Sequence, residues 1–190
     1  MVEFITELDF SVLYWIQENL RCAFLDGVSA FLSVSFDMGL FWIALGLILL
    51  IFRRTRAGGL AVLISLIVTF IVGELGLKNI FCRVRPCNID LAVPLAVERP
   101  EAYSFPSGHT GSSFAAAGAL FGFNRRLGIP ALVLAAVIGL SRIYLFVHYP
   151  TDVFAGMLLG LSIAFAVVYI FRKYALETRL GRLPAKKREK

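Results

Sequence analysis

Charge is scarce in this chain of 190 residues: Asp, Glu, Lys and Arg make up 17% of it, while 58% is hydrophobic. A soluble domain carries closer to a quarter charged residues. The shortage therefore argues against a water-soluble globule, and the apolar excess against a disordered chain. Cysteine is scarce too, at three residues, which excludes a disulfide framework. Cys82 and Cys87 flank one loop and are able to pair in an oxidising compartment, with free thiols the plainer expectation. Internal repeats and low-complexity tracts are missing. The first residues also lack the basic, apolar and small-residue succession of a cleaved signal peptide, so the chain is expected to stay whole.

What is present is a set of long apolar runs, with a mean hydropathy of +0.79. Several approach the roughly 20 residues needed to cross a hydrocarbon core. Spans are expected at about 28–52, with a break allowed at Ser35–Gly39, then at about 58–81, 108–123, 128–147 and 152–172. Ahead of them, Ile5, Leu8, Val12, Trp15, Ile16 and Leu20 form a helical stripe over 4–20 with acids and amides between. This amphipathic helix is expected to lie along the outer interface with its apolar face in lipid. A sixth span would require the stripe to cross, which its acids oppose. The expected fold is thus all-α, a polytopic transmembrane helix bundle of about five spans plus the N-terminal helix. It forms one domain over 1–190, with the bundle at 28–172 and a basic tail at 173–190.

Charge placement orients the bundle. After Phe171 eight bases face only Glu177 and Glu189, so this tail accounts for the whole net charge of +6. The connections Arg53-Arg54-Thr55-Arg56 and Asn124-Arg125-Arg126 are purely basic, whereas residues 1–37 set six acids against Arg21. The positive-inside rule puts those connections and the tail in the cytoplasm and the start outside. Juxtamembrane bases beside anionic lipid explain the tail, and no nucleic-acid partner is expected. The segment 108–123 is rich in Gly, Ala and Ser, which permit close helix approach and place it mid-bundle. Gly118-x-x-x-Gly122 and Gly156-x-x-x-Gly160 read as packing in the same way.

Three polar clusters interrupt the apolar chain, all at the same expected membrane face. They are Lys78 with Arg85-Pro86; Pro106-Ser107-Gly108-His109; and Ser141-Arg142 followed by His148-Tyr149-Pro150-Thr151-Asp152. Ionisable groups at such depth are costly and mark a site. Three cations and two histidines from separate segments point to an anion of more than one charge. Ser107 suits the N-cap of a helix, and Gly108 lets backbone N–H groups approach an anion. Lys78 and Arg85, seven residues apart, would lie ~10 Å apart along one continuous helix. Pro150 suits the first position of the last helix, and Asp152 in its first turn can receive the ring N–H of His148. Glu74 is placed for an i,i+4 ion pair with Lys78, with contact to the substrate as the alternative. Arg83 and Arg99 read as loop charges, and Tyr144 and Tyr149 as interfacial aromatics.

The run Lys78-x6-Arg85-Pro86, Pro106-Ser107-Gly108-His109 and Ser141-Arg142-x5-His148-x3-Asp152 resembles the three-part signature of the type 2 phosphatidic acid phosphatase superfamily. The resemblance covers the bundle from the second span to the fifth. It implies that His148 is the nucleophile forming a phosphohistidine, that Asp152 orients it, and that His109 protonates the leaving group. It implies that Lys78, Arg85, Ser107, Gly108 and Arg142 bind the phosphoryl oxygens. No metal or other cofactor is expected. The implied partner is a lipid phosphate or diphosphate in a bacterial inner membrane, met at the outer face. Small size resembles the undecaprenyl diphosphate phosphatases; phosphatidate, phosphatidylglycerophosphate and lipid A phosphates are the alternatives. A non-catalytic lipid-phosphate carrier is a reading from another class, but it has no use for the histidine pair.

Overall fold

Small residues fill the inside of the bundle, while many of its phenylalanines and branched aliphatics face outward. Ala115, Ala116, Ala117 and Ala119 are wholly buried, while Phe24, Val34, Ile80 and Phe165 are each about three-quarters exposed. Such an exterior would drive aggregation in water and is at home in hydrocarbon, where close backbone packing replaces the hydrophobic effect. The computed structural model describes residues 2–180, with side chains described over 4–174. Of the basic tail expected at 173–190, residues 181–190 lie outside the described part.

The described residues are all-helical. The elements are α1 (Val2–Asn19), α2 (Ala23–Ser35), α3 (Leu40–Ile51), α4 (Arg56–Thr69), α5 (Lys78–Phe81), α6 (Pro86–Ile89), α7 (Gly108–Phe123), α8 (Arg125–Tyr144) and α9 (Pro150–Leu180). A short 3₁₀ turn, Asp37–Gly39, joins α2 to α3, and a π-helical stretch, Phe70–Leu77, joins α4 to α5. Among the described residues three runs are long and apolar enough to cross a membrane: Arg56–Ile89, Arg125–Tyr144 and Pro150–Tyr174. A fourth is counted if α2 and the Asp37–Ile51 segment, bent by 44°, form one broken span. The remaining expected span, α7, has 16 residues. At 1.5 Å per residue it measures ~24 Å, short of a ~30 Å hydrocarbon core.

α7 is the axis, packed against α9, α8 and α4. Its small residues permit this. A Cβ at Gly156 would lie 2.7 Å from the Ser107 carbonyl oxygen, and one at Gly160 would collide with the Gly111 carbonyl oxygen. On α7 itself, a Cβ at Gly118 would stand 2.9 Å from that of Ala164. The glycine pairs therefore let α7 and α9 meet backbone to backbone.

The break expected at Ser35–Gly39 is present, with Met38 at φ 48° and Gly39 at φ 71°. One expectation needs revision. α1 does leave Ile5, Leu8, Val12 and Trp15 exposed, but its opposite face does not look into water. Leu13 is fully buried with Phe146, Val147 and Tyr149, and Phe10 and Ile16 pack beside it. Gln17 donates to the Tyr144 carbonyl at 2.8 Å, and Tyr14 donates to Asp90 at 2.9 Å. α1 thus has protein as well as lipid for a partner, lying against the α8–α9 turn and the 90–97 loop.

Candidate functional site

The three polar clusters meet at one end of the bundle, where α5 ends, α7 and α9 begin and α8 turns over. Lys78, Arg85, Ser107, Arg142, His148 and Asp152 are all buried there. The α8–α9 turn wraps onto the Arg142 carbonyl, which accepts from the backbone N–H groups of Val147 and His148 at 3.3 Å each. Phe146 takes φ 60° in that turn, a conformation a bulky side chain adopts only when its surroundings impose it.

His148 is held from both sides. Arg85 Nη1 lies 3.0 Å from Nε2. A guanidinium can only donate, so Nε2 carries the lone pair and Nδ1 the proton. Nδ1 faces Asp152 Oδ2 at 3.5 Å and Ser104 Oγ at 3.4 Å. Burial pushes the imidazole down to about 3, helped by Arg85 and Arg142 and opposed by Asp152. The ring is therefore neutral, with its lone pair toward Arg85. Asp152 Oδ2 also accepts from Ser104 Oγ at 2.5 Å and from the Tyr149 backbone N–H at 3.0 Å. This reach back from the first turn of α9 resembles a capping box.

Arg85 also donates through Nε to the Ala102 carbonyl at 2.6 Å and through Nη1 to the Val147 carbonyl at 2.9 Å. The single-helix spacing of Lys78 and Arg85 does not occur. α5 ends at Cys82, which takes φ 45°, and the chain runs on extended to Arg85. The positive φ at Cys82 ends the helix at Phe81, where the expected span also stops, and Pro86 opens the next one. Both cations still reach the site. Lys78 Nζ lies 4.0 Å from the position a Cβ on Gly108 would take, and pairs with Glu74 at 2.7 Å, as expected. Glu74 Oε1 crowds that same Gly108 position.

Ser107 holds the N-cap position of α7, as expected, but its side chain makes no capping hydrogen bond. Its Oγ accepts from Thr110 Oγ1 at 2.9 Å, and its backbone N–H donates to the Asp152 carbonyl at 3.1 Å, tying α7 to α9. The first N–H groups of α7 have no partner in their own helix.

His109 sits in the first turn of α7 with Nε2 3.1 Å from the Ser33 carbonyl and 3.9 Å from Asp37. The break after α2 presents both. Arg142 Nη1 donates to Ser33 Oγ at 2.9 Å, so α2 supports both the second histidine and the third cation.

Arg83, a loop charge by sequence alone, is instead a hub. It bonds Asp152 and Asp9 at 2.7 Å each and Thr151 Oγ1 at 2.7 Å, and its guanidinium lies 3.8 Å from the Tyr149 ring centroid. Tyr149 is buried beneath it, not interfacial. Ser104 and Asp9 also escape the sequence reading, since neither stands in a recognisable motif. The three cysteines are free.

Residues 57–175 match the family model described as the PAP2 superfamily. An undecaprenyl-diphosphatase of Sulfolobus acidocaldarius is 36% identical over 151 residues, covering 79% of this chain and 72% of that protein. The PAP2-type phosphatidylglycerolphosphate phosphatase of Bacillus subtilis superposes with a TM-score of 0.72 at 27% identity, covering 89% of this chain and 87% of that one. LpxE of Aquifex aeolicus superposes at 0.69 and 28% identity, covering 85% and 95%. With its signature residues gathered at one end of a membrane helix bundle, this chain belongs to the PAP2 superfamily and is a membrane phosphatase.

Proposed function

We propose that the chain hydrolyses a lipid diphosphate at the outer membrane face through a phosphohistidine on His148, with undecaprenyl diphosphate converted to undecaprenyl phosphate. The observation that carries this reading is the Arg85–His148–Asp152 line. A neutral imidazole presents its Nε2 lone pair to the cations while its Nδ1–H faces a carboxylate. That is the tautomer an attacking histidine needs.

In this reading the terminal phosphoryl group enters among Lys78, Arg85, Arg142 and the start of α7. Its oxygens draw the Arg85 guanidinium off Nε2 and free the lone pair. Nε2 attacks phosphorus, the bond to the bridging oxygen breaks, and lipid monophosphate leaves with a proton from His109. The cations offset charge on the equatorial oxygens. Water, losing a proton to His109, then attacks phosphorus; the P–N bond breaks and inorganic phosphate departs. Asp152 steadies the imidazolium formed between the two steps.

The lipid tail stays in the bilayer. An apolar groove lined by Trp42, Leu45, Leu49, Leu120, Ala131 and Leu134 supports this. On its wall the Trp42 indole donates at 3.0 Å to Ser113, one turn beyond His109 on α7. Five crossings, with the start outside and the tail inside, fit the basic connections at Arg53–Arg56 and Asn124–Arg126.

Substrate choice rests on the resemblance to the undecaprenyl-diphosphatase. A monoester such as phosphatidate or phosphatidylglycerophosphate, or a lipid A phosphate, is the second reading, and the structural neighbour named as a phosphatidylglycerolphosphate phosphatase favours the monoester. The test is phosphate release by purified protein in detergent containing EDTA, with undecaprenyl diphosphate and phosphatidate compared and His148→Ala alongside. Faster release from the diphosphate, lost in the variant, is expected. Faster release from phosphatidate would overturn the substrate assignment, and undiminished release by His148→Ala would overturn the mechanism.

A further inference from the structure

We propose that α1 is a positioning element of the His148–Asp152 pair: Asp9 on its inward face holds Arg83, and Arg83 holds Asp152 in register with His148. The proposal rests on the reading of His148 as the nucleophile.

A carboxylate buried in an apolar setting is costly unless every oxygen is matched. Asp9 is 2% exposed and is matched. Its Oδ2 accepts from Arg83 Nη2 at 2.7 Å and from Thr151 Oγ1 at 2.6 Å, and its Oδ1 from the Thr151 backbone N–H at 3.1 Å. The other guanidinium nitrogen of Arg83 donates to Asp152 Oδ1 at 2.7 Å. With Tyr149 beneath it, Arg83 is fixed in its plane. The result divides Asp152 in two: Oδ1 belongs to Arg83, and Oδ2 faces His148 Nδ1, Ser104 and the Tyr149 N–H. Asp9 and Arg83 touch no reacting atom; they set which oxygen meets the ring.

Charge makes the arrangement more than a strut. One guanidinium charge is shared between two carboxylates, so Asp152 keeps the negative charge that steadies the His148 imidazolium. Neutralising Asp9 commits Arg83 wholly to Asp152 and weakens that support. The titratable and charged groups facing the pair are Arg83 and Arg85 from the loop after α5, Cys87 on α6, Arg142 on α8, Tyr149 in the turn, and Asp9 on α1. Glu74 with Lys78, and His109 with Asp37, stand nearby. Of these, Asp9 reaches the pair through Arg83.

The test measures kcat, KM and the pH profile of the full chain in detergent, using whichever of undecaprenyl diphosphate and phosphatidate the wild type hydrolyses faster. Asp9→Asn is expected to lower kcat about tenfold, in the range of coupled neighbours, with KM unchanged within about twofold. Its acid limb should move to lower pH, because His148 gives up its proton more readily. In the Arg83→Gln background Asp9→Asn should cost nothing further. Val62→Ala, in the core cluster away from α1, should lower the thermal midpoint and leave the acid limb in place. An unchanged kcat and limb in Asp9→Asn, losses that multiply in the double variant, or a limb that moves in Val62→Ala would each overturn the proposal. His148→Ala separates the two failures. An inactive His148→Ala beside an unaffected Asp9→Asn sinks this proposal alone, whereas full turnover by His148→Ala removes the nucleophile and the proposal with it.

Discussion

Arg85 Nη1 lies 3.0 Å from His148 Nε2, so a guanidinium covers the imidazole lone pair and fixes the tautomer. In the proposed reaction an incoming phosphate competes for that guanidinium. Arg85→Gln removes the charge while keeping a donor. A charge-assisted hydrogen bond contributes ~1.5–3 kcal/mol, so kcat/KM should fall about tenfold to a hundredfold. The acid limb should move to higher pH, because Arg85 disfavours the imidazolium. Steady-state kinetics across pH checks both. A limb that moves to lower pH would contradict the placement of Arg85 on Nε2.

The wild-type pH profile follows from the same environment. Burial and two cations push His148 down to about 3, against 6.5 for a free imidazole. A lowered value means the neutral, attacking form persists as pH falls. Phosphate release under chemistry-limited conditions should therefore hold between pH 6.5 and 5 instead of halving near 6.5. A midpoint at the ordinary histidine value would show that His148 is solvated.

Much of this site was legible because its chemistry recurs in fixed short strings. Lys78, Arg85, His109, Arg142, His148 and Asp152 announce themselves as ionisable residues in an apolar chain, and the structure brings them to one end. What stayed hidden depends on contacts distant in sequence. Arg83 meets Asp9 across 74 positions and Asp152 across 69, and nothing local distinguishes it from any loop arginine. Ser104 is an ordinary loop serine until folding lays it against Asp152. In the fold, the amphipathic period of α1 showed a helix but not that its polar face carried a buried acid. The π-helical stretch at Phe70–Leu77, which sets the rotation of Lys78, leaves no mark in the hydropathy pattern.

Glu74 tests how Lys78 is used. Its carboxylate holds the Lys78 ammonium at 2.7 Å beside Gly108, where an incoming phosphate would compete for the same charge. Glu74→Gln should lower KM two- to fivefold, in keeping with the ~0.2–1 kcal/mol of a partly exposed pair, and leave kcat within about twofold. A raised KM in the same assay would mean that the carboxylate helps to bind substrate.

The backbone contact between α7 and α9 is equally open to test. A methyl at Gly156 would lie 2.7 Å from the Ser107 carbonyl oxygen. Gly156→Ala should therefore destabilise the bundle by about 1–3 kcal/mol through overpacking. Gly27, with nothing within 4 Å of its Cβ position, is the control. Gly27→Ala in α2 should be neutral or gain ~0.5–1 kcal/mol. Thermal unfolding in one detergent compares the pair. Equal midpoints for both variants would contradict the close approach.

The account stands most directly on whether phosphorus becomes bonded to His148. Purified protein, mixed with labelled lipid diphosphate and quenched in alkali within one turnover, should carry an acid-labile, alkali-stable phosphoryl group on the peptide containing His148. His109→Ala, which lacks the proton donor for the leaving group, should form it more slowly than the wild type. A label on any other residue would contradict the account, as would steady turnover by His148→Ala with no phosphoenzyme formed.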